Sequence, residues 1–256
     1  MSHLVHPPVG LAFYFNGTDA YIQPPTSSLI NTASVLANRT IEVLFMPMEV
    51  ERADHQVVYE EGGAVRGFNI YILNGTLYVG AWNEAETGWQ GDWISYQGLQ
   101  NFEWYHVFLI LRDATDSITA DKLELYVNGS LIGTAPGTRV YAHSGAIGVG
   151  AVVSDSKFHD IGDFSGNGKY FKGCIAMLRI YNKALEATEI ADRVNIGREI
   201  KEELVLKYGA YGIVRGGGSK WLDESGNSLH GTVNGAIRVR CCHCNPIMKF
   251  GTATPI

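Results

Sequence analysis

"GFNIYILNGTLYVGAW", residues 67–82, sets apolar and aromatic side chains on both sides of an Asn-Gly pair at 74–75. Asn-Gly between two such runs is the strongest short-range hairpin signal, because both residues tolerate the positive φ that a two-residue type I′ turn demands. The stretch therefore predicts two antiparallel strands. "KLELYVNGSLIG" (122–133) repeats the device at Asn128-Gly129. "WYHVFLIL" (104–111) is apolar at successive positions, the pattern of a strand covered on both faces. "TIEVLFMPM" (40–48) and "YFKGCIAMLRIY" (170–181) also read as strands, and one short helix is expected near 185–196. Many strands at regular spacing with one small helix predict an all-β chain, a two-sheet antiparallel β-sandwich.

The 256 residues suit one large sandwich, and 46% hydrophobic content supplies a sizeable core. A net charge of −6 with only 20 Lys and Arg argues against a nucleic-acid partner. The longest clean apolar run, "VFLIL" (107–111), has strand length, so no membrane insertion is expected. The N-terminus, "MSHLVHPPVGLAFYFNG", lacks a basic opening and is interrupted by Pro7 and Pro8, so no signal peptide is recognisable. The cysteines are Cys174, Cys241, Cys242 and Cys244. Neighbouring strand residues point to opposite faces, so "CCHC" cannot wrap one tetrahedral ion, and no zinc is expected.

Four stretches carry a family resemblance in their order and spacing: "AFYFNGTDAYIQPP" (12–25), "WYHVFLILRD" (104–113), "LELYVNGSLIGT" (123–134) and "YFKGCIAMLRIYNKALEATEI" (170–190). Together they resemble the laminin-G-like branch of the concanavalin A-like lectin/glucanase superfamily, over roughly residues 11–195. The resemblance implies a jelly roll. Family members place an Asp-x-Ser-Gly-Asn…His-Gly-Thr hairpin before the first of these motifs. Here the matching pieces, "ELVLKYGAYG" (203–212) and "WLDESGNSLHGTVNGA" (221–236), follow the helix instead. The order looks circularly permuted, which is easy when termini lie side by side. Residues 1–200 are accordingly expected to form the sandwich. Residues 201–256 would add strands that complete it or a neighbouring subunit's.

Three kinds of chemistry compete. Glucanases of this fold carry closely paired carboxylates on one strand. Here Glu84 and Glu86 sit among turn residues, and a strand would point Glu60 and Glu61 to opposite faces. The chain is read as no enzyme, with glycoside hydrolysis the remote alternative. Trp82, Trp89, Trp93 and Tyr96 crowd a loop, 82–96, beside Glu84 and Asp92. Aromatic faces beside polar groups suit a carbohydrate, though core packing explains the same residues. For Ca²⁺, the resemblance points to a sheet rim. "FHDIGDFSGNG" (158–168) offers Asp160, Asp163 and Asn167, and Asp19 and Asp223 lie in the other two matching loops. Oxygen donors of this kind suit a structural Ca²⁺, and ordinary Asx-turns are the competing explanation.

The expected function is a non-catalytic structural protein of an extracellular or virion surface. It would associate with itself as a homo-oligomer or larger coat, fibre or sheath. A lectin-like module binding a glycan through the Trp-rich loop is the alternative.

Overall fold

The computed structural model describes residues 10–33 and 35–240. In chain order it has β1 (Leu11–Asn16), β2 (Tyr21–Gln23), β3 (Arg39–Pro47), β4 (Gln56–Gly63), β5 (Arg66–Leu73) and β6 (Thr76–Asn83). A helical turn, α1 (Glu84–Thr87), leads to β7 (Trp89–Tyr96), β8 (Tyr105–Leu111), β9 (Thr119–Val127) and β10 (Ser130–Gly137). Then come β11 (Ile147–Val149), β12 (Asp155–Phe158), β13 (Gly162–Ser165), β14 (Lys172–Tyr181) and α2 (Ala187–Ile196). The last elements are β15 (Leu204–Tyr208), α3 (Ala210–Arg215), β16 (Lys220–Trp221), β17 (Gly231–Asn234) and β18 (Ile237–Arg240).

The strands make two antiparallel sheets facing each other, the expected sandwich. The first runs β10-β9-β8-β3-β14-β1-β18, with β15 also on β14; the second runs β16-β17-β2-β11-β4-β5-β6-β7. The short hairpin β12–β13 stands apart from both. Both Asn-Gly turns have the geometry their sequence demands: φ is 47° at Asn74 and 77° at Gly75, and 51° at Asn128 and 84° at Gly129. β8 is buried along its whole length, as its two-sided apolar pattern requires.

One core fills the space between the sheets, and the C-terminal segment belongs to it. Leu206, Tyr208, Ile213 and Trp221 join Phe13, Val43, Ile70 and Val107 in a single cluster. The Trp221 ring stacks on Tyr208 at 5.1 Å and meets Phe13 edge-on at 5.3 Å. Its indole N–H donates to the Gly209 carbonyl at 3.0 Å. β15 pairs with β14, β17 with β2 and β18 with β1, all within the same chain. Cys241, Cys242 and Cys244 lie outside the described residues; Cys174 is buried in β14.

The expected helix is α2. It opens with a capping box between Glu186 and Glu189 and closes at Gly197, where φ is 66°. Among the described residues two shorter helices accompany it, and α3 occupies part of a stretch that the sequence reads as strand. Glycines at 209, 212 and 216–218 hide the α3 pattern, because they break any helical period. No helix among the described residues is long and apolar enough to cross a membrane.

Candidate functional site

Residues 82–96 are not a loop. They are the end of β6, the turn α1 and the edge strand β7. That pairing decides the fate of the aromatics. Trp89 is 2% exposed, lies in the core and donates its N–H to Asp92 Oδ2 at 2.8 Å. Trp82 is fully buried, and its N–H donates to the Gly63 carbonyl at 2.8 Å. Trp93 is half-buried against Trp82, with ring centroids 6.1 Å apart, and donates to Asn69 Oδ1 at 2.9 Å. Tyr96 packs on the core, and Glu84 is held by Lys157. A sugar cannot stack on Trp82 or Trp89, because protein already covers their rings. These two residues build the sandwich, which leaves Trp93 and Tyr96 as the half-buried aromatics of the expected site.

The proposed cation ligands sit in three separate places. Asp19 accepts from Asn16 Nδ2 at 2.7 Å in the β1–β2 turn. Asp223 accepts from the backbone N–H groups of Lys207, Ser225 and Leu229 at 3.0, 2.9 and 3.0 Å. Around β12–β13, Asp160 pairs with His55 Nε2 at 2.8 Å, Asp163 lies 3.6 Å from Lys157 Nζ, and Asn167 is exposed. Asp223 has spent its oxygens on backbone donors, the Asx-turn use of such residues. Among the described residues no three His, Cys, Asp or Glu side chains stand close enough to hold one metal ion.

A cavity lies elsewhere, walled by other segments. It has a volume of about 430 Å³ and opens where β4 turns into β5. Gly63 to Arg66 form one side, and His143 to Ala146 with Ser154 and Asp155 form the other. Arg66 is fixed there by Glu86 of α1 and by the Ala142 carbonyl. The Trp82 N–H bond to Gly63 holds the β4–β5 turn, so the Trp-rich hairpin supports the cavity without lining it. Gly145 has to be glycine, because a Cβ would lie 1.4 Å from the Gly62 carbonyl oxygen. The sequence signal was the glycine-rich run "HSGAIGVG" (143–150). It reads as ordinary turn composition until the β4–β5 turn is seen against it.

Polar groups converge on the cavity. Asp155 accepts from Ser165 Oγ at 2.5 Å, and Ser154 Oγ accepts the Ala146 N–H at 3.1 Å. Burial holds the His143 imidazole below its usual pKa, with nearby Glu61 pulling the other way. Glu60 and Glu61 do point to opposite faces of β4. Glu61 reaches inward to Arg39 at 3.0 Å, bridging the sheets, and accepts from Tyr59 at 3.0 Å. Glu60 is fully buried, and neither carboxyl oxygen has a hydrogen-bond partner.

Burial, then the charges of Glu61 and Asp155, push the Glu60 carboxyl well above the usual range. Its protonated form therefore favours the folded chain. With the folded pKa raised, that stability is present below about pH 4.3, the unfolded value, and is lost as pH rises through the folded one. Glu60→Gln should melt close to the parent near pH 4 and above it at pH 7.5, the gap widening with pH. Parallel melting curves across that range would mean that Glu60 carries no such cost.

Residues 16–191 match the laminin G profile described as the concanavalin A-like lectin/glucanases superfamily. No curated protein matches the chain in sequence. Solved structures that share the fold include two that match over most of this chain. A candidate carbohydrate-binding protein from Bacteroides ovatus is 16% identical, with a TM-score of 0.59; the match covers 91% of this chain and 60% of that one. A heptameric pentraxin from Limulus polyphemus is 14% identical, with a TM-score of 0.57, and the match covers 96% of this chain and 100% of that one. At these identities the likeness is one of fold. The chain spans less than two thirds of the Bacteroides protein's length.

Proposed function

We propose, from the premise that this chain belongs to the concanavalin A-like lectin/glucanases superfamily, that it is a non-catalytic carbohydrate-binding protein acting outside the cell. The observation that carries this reading is the 430 Å³ cavity at the β4–β5 turn. Its size falls in the range of small-molecule sites. Its lining mixes a cation (Arg66), a carboxylate (Asp155), two hydroxyls (Ser144 and Ser154) and glycine backbone. A sugar hydroxyl both donates and accepts, so a mixed set of this kind suits it better than a single-sign site would. Binding without hydrolysis follows from the carboxylates. Asp155 is the single acid lining the cavity among the described residues, whereas glycosidases flank the scissile bond with two. Glu84 and Glu86 are already tied to Lys157 and Arg66.

Glycan-array binding by the parent chain, followed by Asp155→Asn and Ser144→Ala, tests the reading. Losing a hydrogen bond to the charged Asp155 should weaken the sugar about tenfold or more. A parent chain with no array signal, or variants that bind as the parent does, would remove this site.

Self-association is the second reading, and one observation favours it. The edge strand β10 exposes neighbouring Leu131 (52%) and Ile132 (37%) beside unpaired backbone. Particle mass over a dilution series decides it, since a single-chain mass at every concentration leaves only the lectin role.

A further inference from the structure

A second cavity, of about 280 Å³, lies at the other end of β4. It is lined by Arg52, Asp54, His55, Phe164, Lys169 and Tyr170, with Gly168. An eight-residue strand is about 25 Å long, so the two cavities are far apart and share no lining residue. We propose that this second cavity is an oxyanion site, taking one carboxylate or sulfate group of an acidic sugar.

The cavity presents unspent donors. Arg52 Nη1 donates to the carbonyls of Gly17 and Tyr170 at 3.3 and 3.4 Å, which fixes the guanidinium in place. No described residue takes a hydrogen bond from its Nε or Nη2. The carboxylate nearest to it, Asp54, is 3.9 Å away with a side chain 79% exposed, a distance and setting at which solvent screens the attraction. Lys169 has no carboxylate partner among the described residues. Its ammonium stands 5.1 Å from the centre of the Phe164 ring, on the same cavity. Its backbone sits at φ 59°, a left-handed conformation that costs a non-glycine residue energy. The Val57 N–H donating to the Lys169 carbonyl at 2.8 Å holds it there. His55 is buried, and Asp160 at 2.8 Å balances any charge it carries.

Two cations thus line one cavity in a chain of net charge −6, opposed by a single solvated carboxylate. A guanidinium fork and an ammonium on one cavity match the two or three oxygens of a carboxylate or sulfate. The half-buried Phe164 and Tyr170 add apolar surface beside these charges, which suits the ring carrying that group. Neutral sugars would leave both cations unpaired.

The test is a titration of the full chain at low salt, followed through the backbone amide NMR signals of residues 52–55 and 168–170. The probes are inorganic sulfate, galacturonic acid and galactose. Saturable shifts with galacturonic acid and with sulfate, but none with galactose, are the expected result. Sulfate alone would support the oxyanion site and assign it to sulfate-type groups instead of uronates. Lys169→Gln and Arg52→Gln should each weaken the anion about tenfold or more, while Lys169→Arg keeps it within a few-fold. Asp155→Asn, at the other cavity, should leave this titration unchanged, so this site and the sugar site can fail separately. No saturable shift with either anion, or variants that bind as the parent does, would overturn the proposal.

Discussion

A chain ended after Gly197 is expected not to fold. The cut removes the partner strand from one side of β2, from one side of β1 and from half of β14. It also takes Leu206, Tyr208, Ile213, Trp221 and Leu229 out of the core. Emptying one large aromatic position costs about 3–5 kcal/mol. Whole domains are stable by only about 5–15 kcal/mol, so two such aromatic positions, three aliphatic ones at about 2–5 kcal/mol each and three pairings exceed the total. Loss of the cooperative thermal transition and of amide protection in β1 and β14 is the expected readout. A permuted chain supplies the second arm. Arg240 lies opposite Leu11 in the β18–β1 register. Residues 203–240 placed ahead of Leu11 through a short turn should therefore rebuild the same sandwich with a cooperative melt. A truncated chain as stable as the parent would show that β15 to β18 contribute nothing, and a permuted chain that stays unfolded would show that the chain order matters.

Glu42→Ala should be the most damaging single substitution outside the core between the sheets. Glu42 lies in β3 with no exposed surface. It accepts from Arg193 Nη2 at 2.7 Å and from Tyr181 at 3.0 Å, and His106 Nε2 lies 2.8 Å away. Arg179 stands at 3.8 Å. This one carboxylate thereby ties α2, through Arg193, to the outer face of the first sheet. Taking it away leaves the buried Arg193 guanidinium without its carboxylate, while Arg179 keeps Glu199 at 3.3 Å; breaking a buried pair in this way costs about 3–5 kcal/mol. At about 2–4 °C per kcal/mol for a chain of this size, the melting temperature should fall on the order of 10 °C. Glu42→Leu combined with Arg193→Met should recover much of that loss, since a buried pair replaced by apolar groups is often neutral. A Glu42→Ala chain within 2 °C of the parent would mean that solvent reaches the network and that its burial does not matter.

The sandwich was legible because its signals are local. Asn74-Gly75 and Asn128-Gly129 carry their turn geometry in two residues, and β8 shows its burial in an unbroken apolar run. The capping of α2 is equally local, within Glu186 to Gly197. The short helix α3 was not legible, since its glycines erase the period that marks a helix.

The binding features divide differently. From the sequence alone follow an antiparallel sandwich, the two Asn-Gly turns, one short helix and a displaced pair of segments that had to pair with something. Which partner they pair with was decided only by the folded chain, where the open sides of β1 and β2 and the space around Trp221 belong to the same sandwich. The fold likewise decided that Trp82 and Trp89 are buried packing residues. Alternation along a strand says that two faces differ, but not which of them another element will cover. Arg66 and Asp155, like Arg52 and Lys169, are far apart in sequence and share no motif. Each pair lines one cavity because strand pairing brings distant backbones together, a long-range effect that no window of neighbouring residues records.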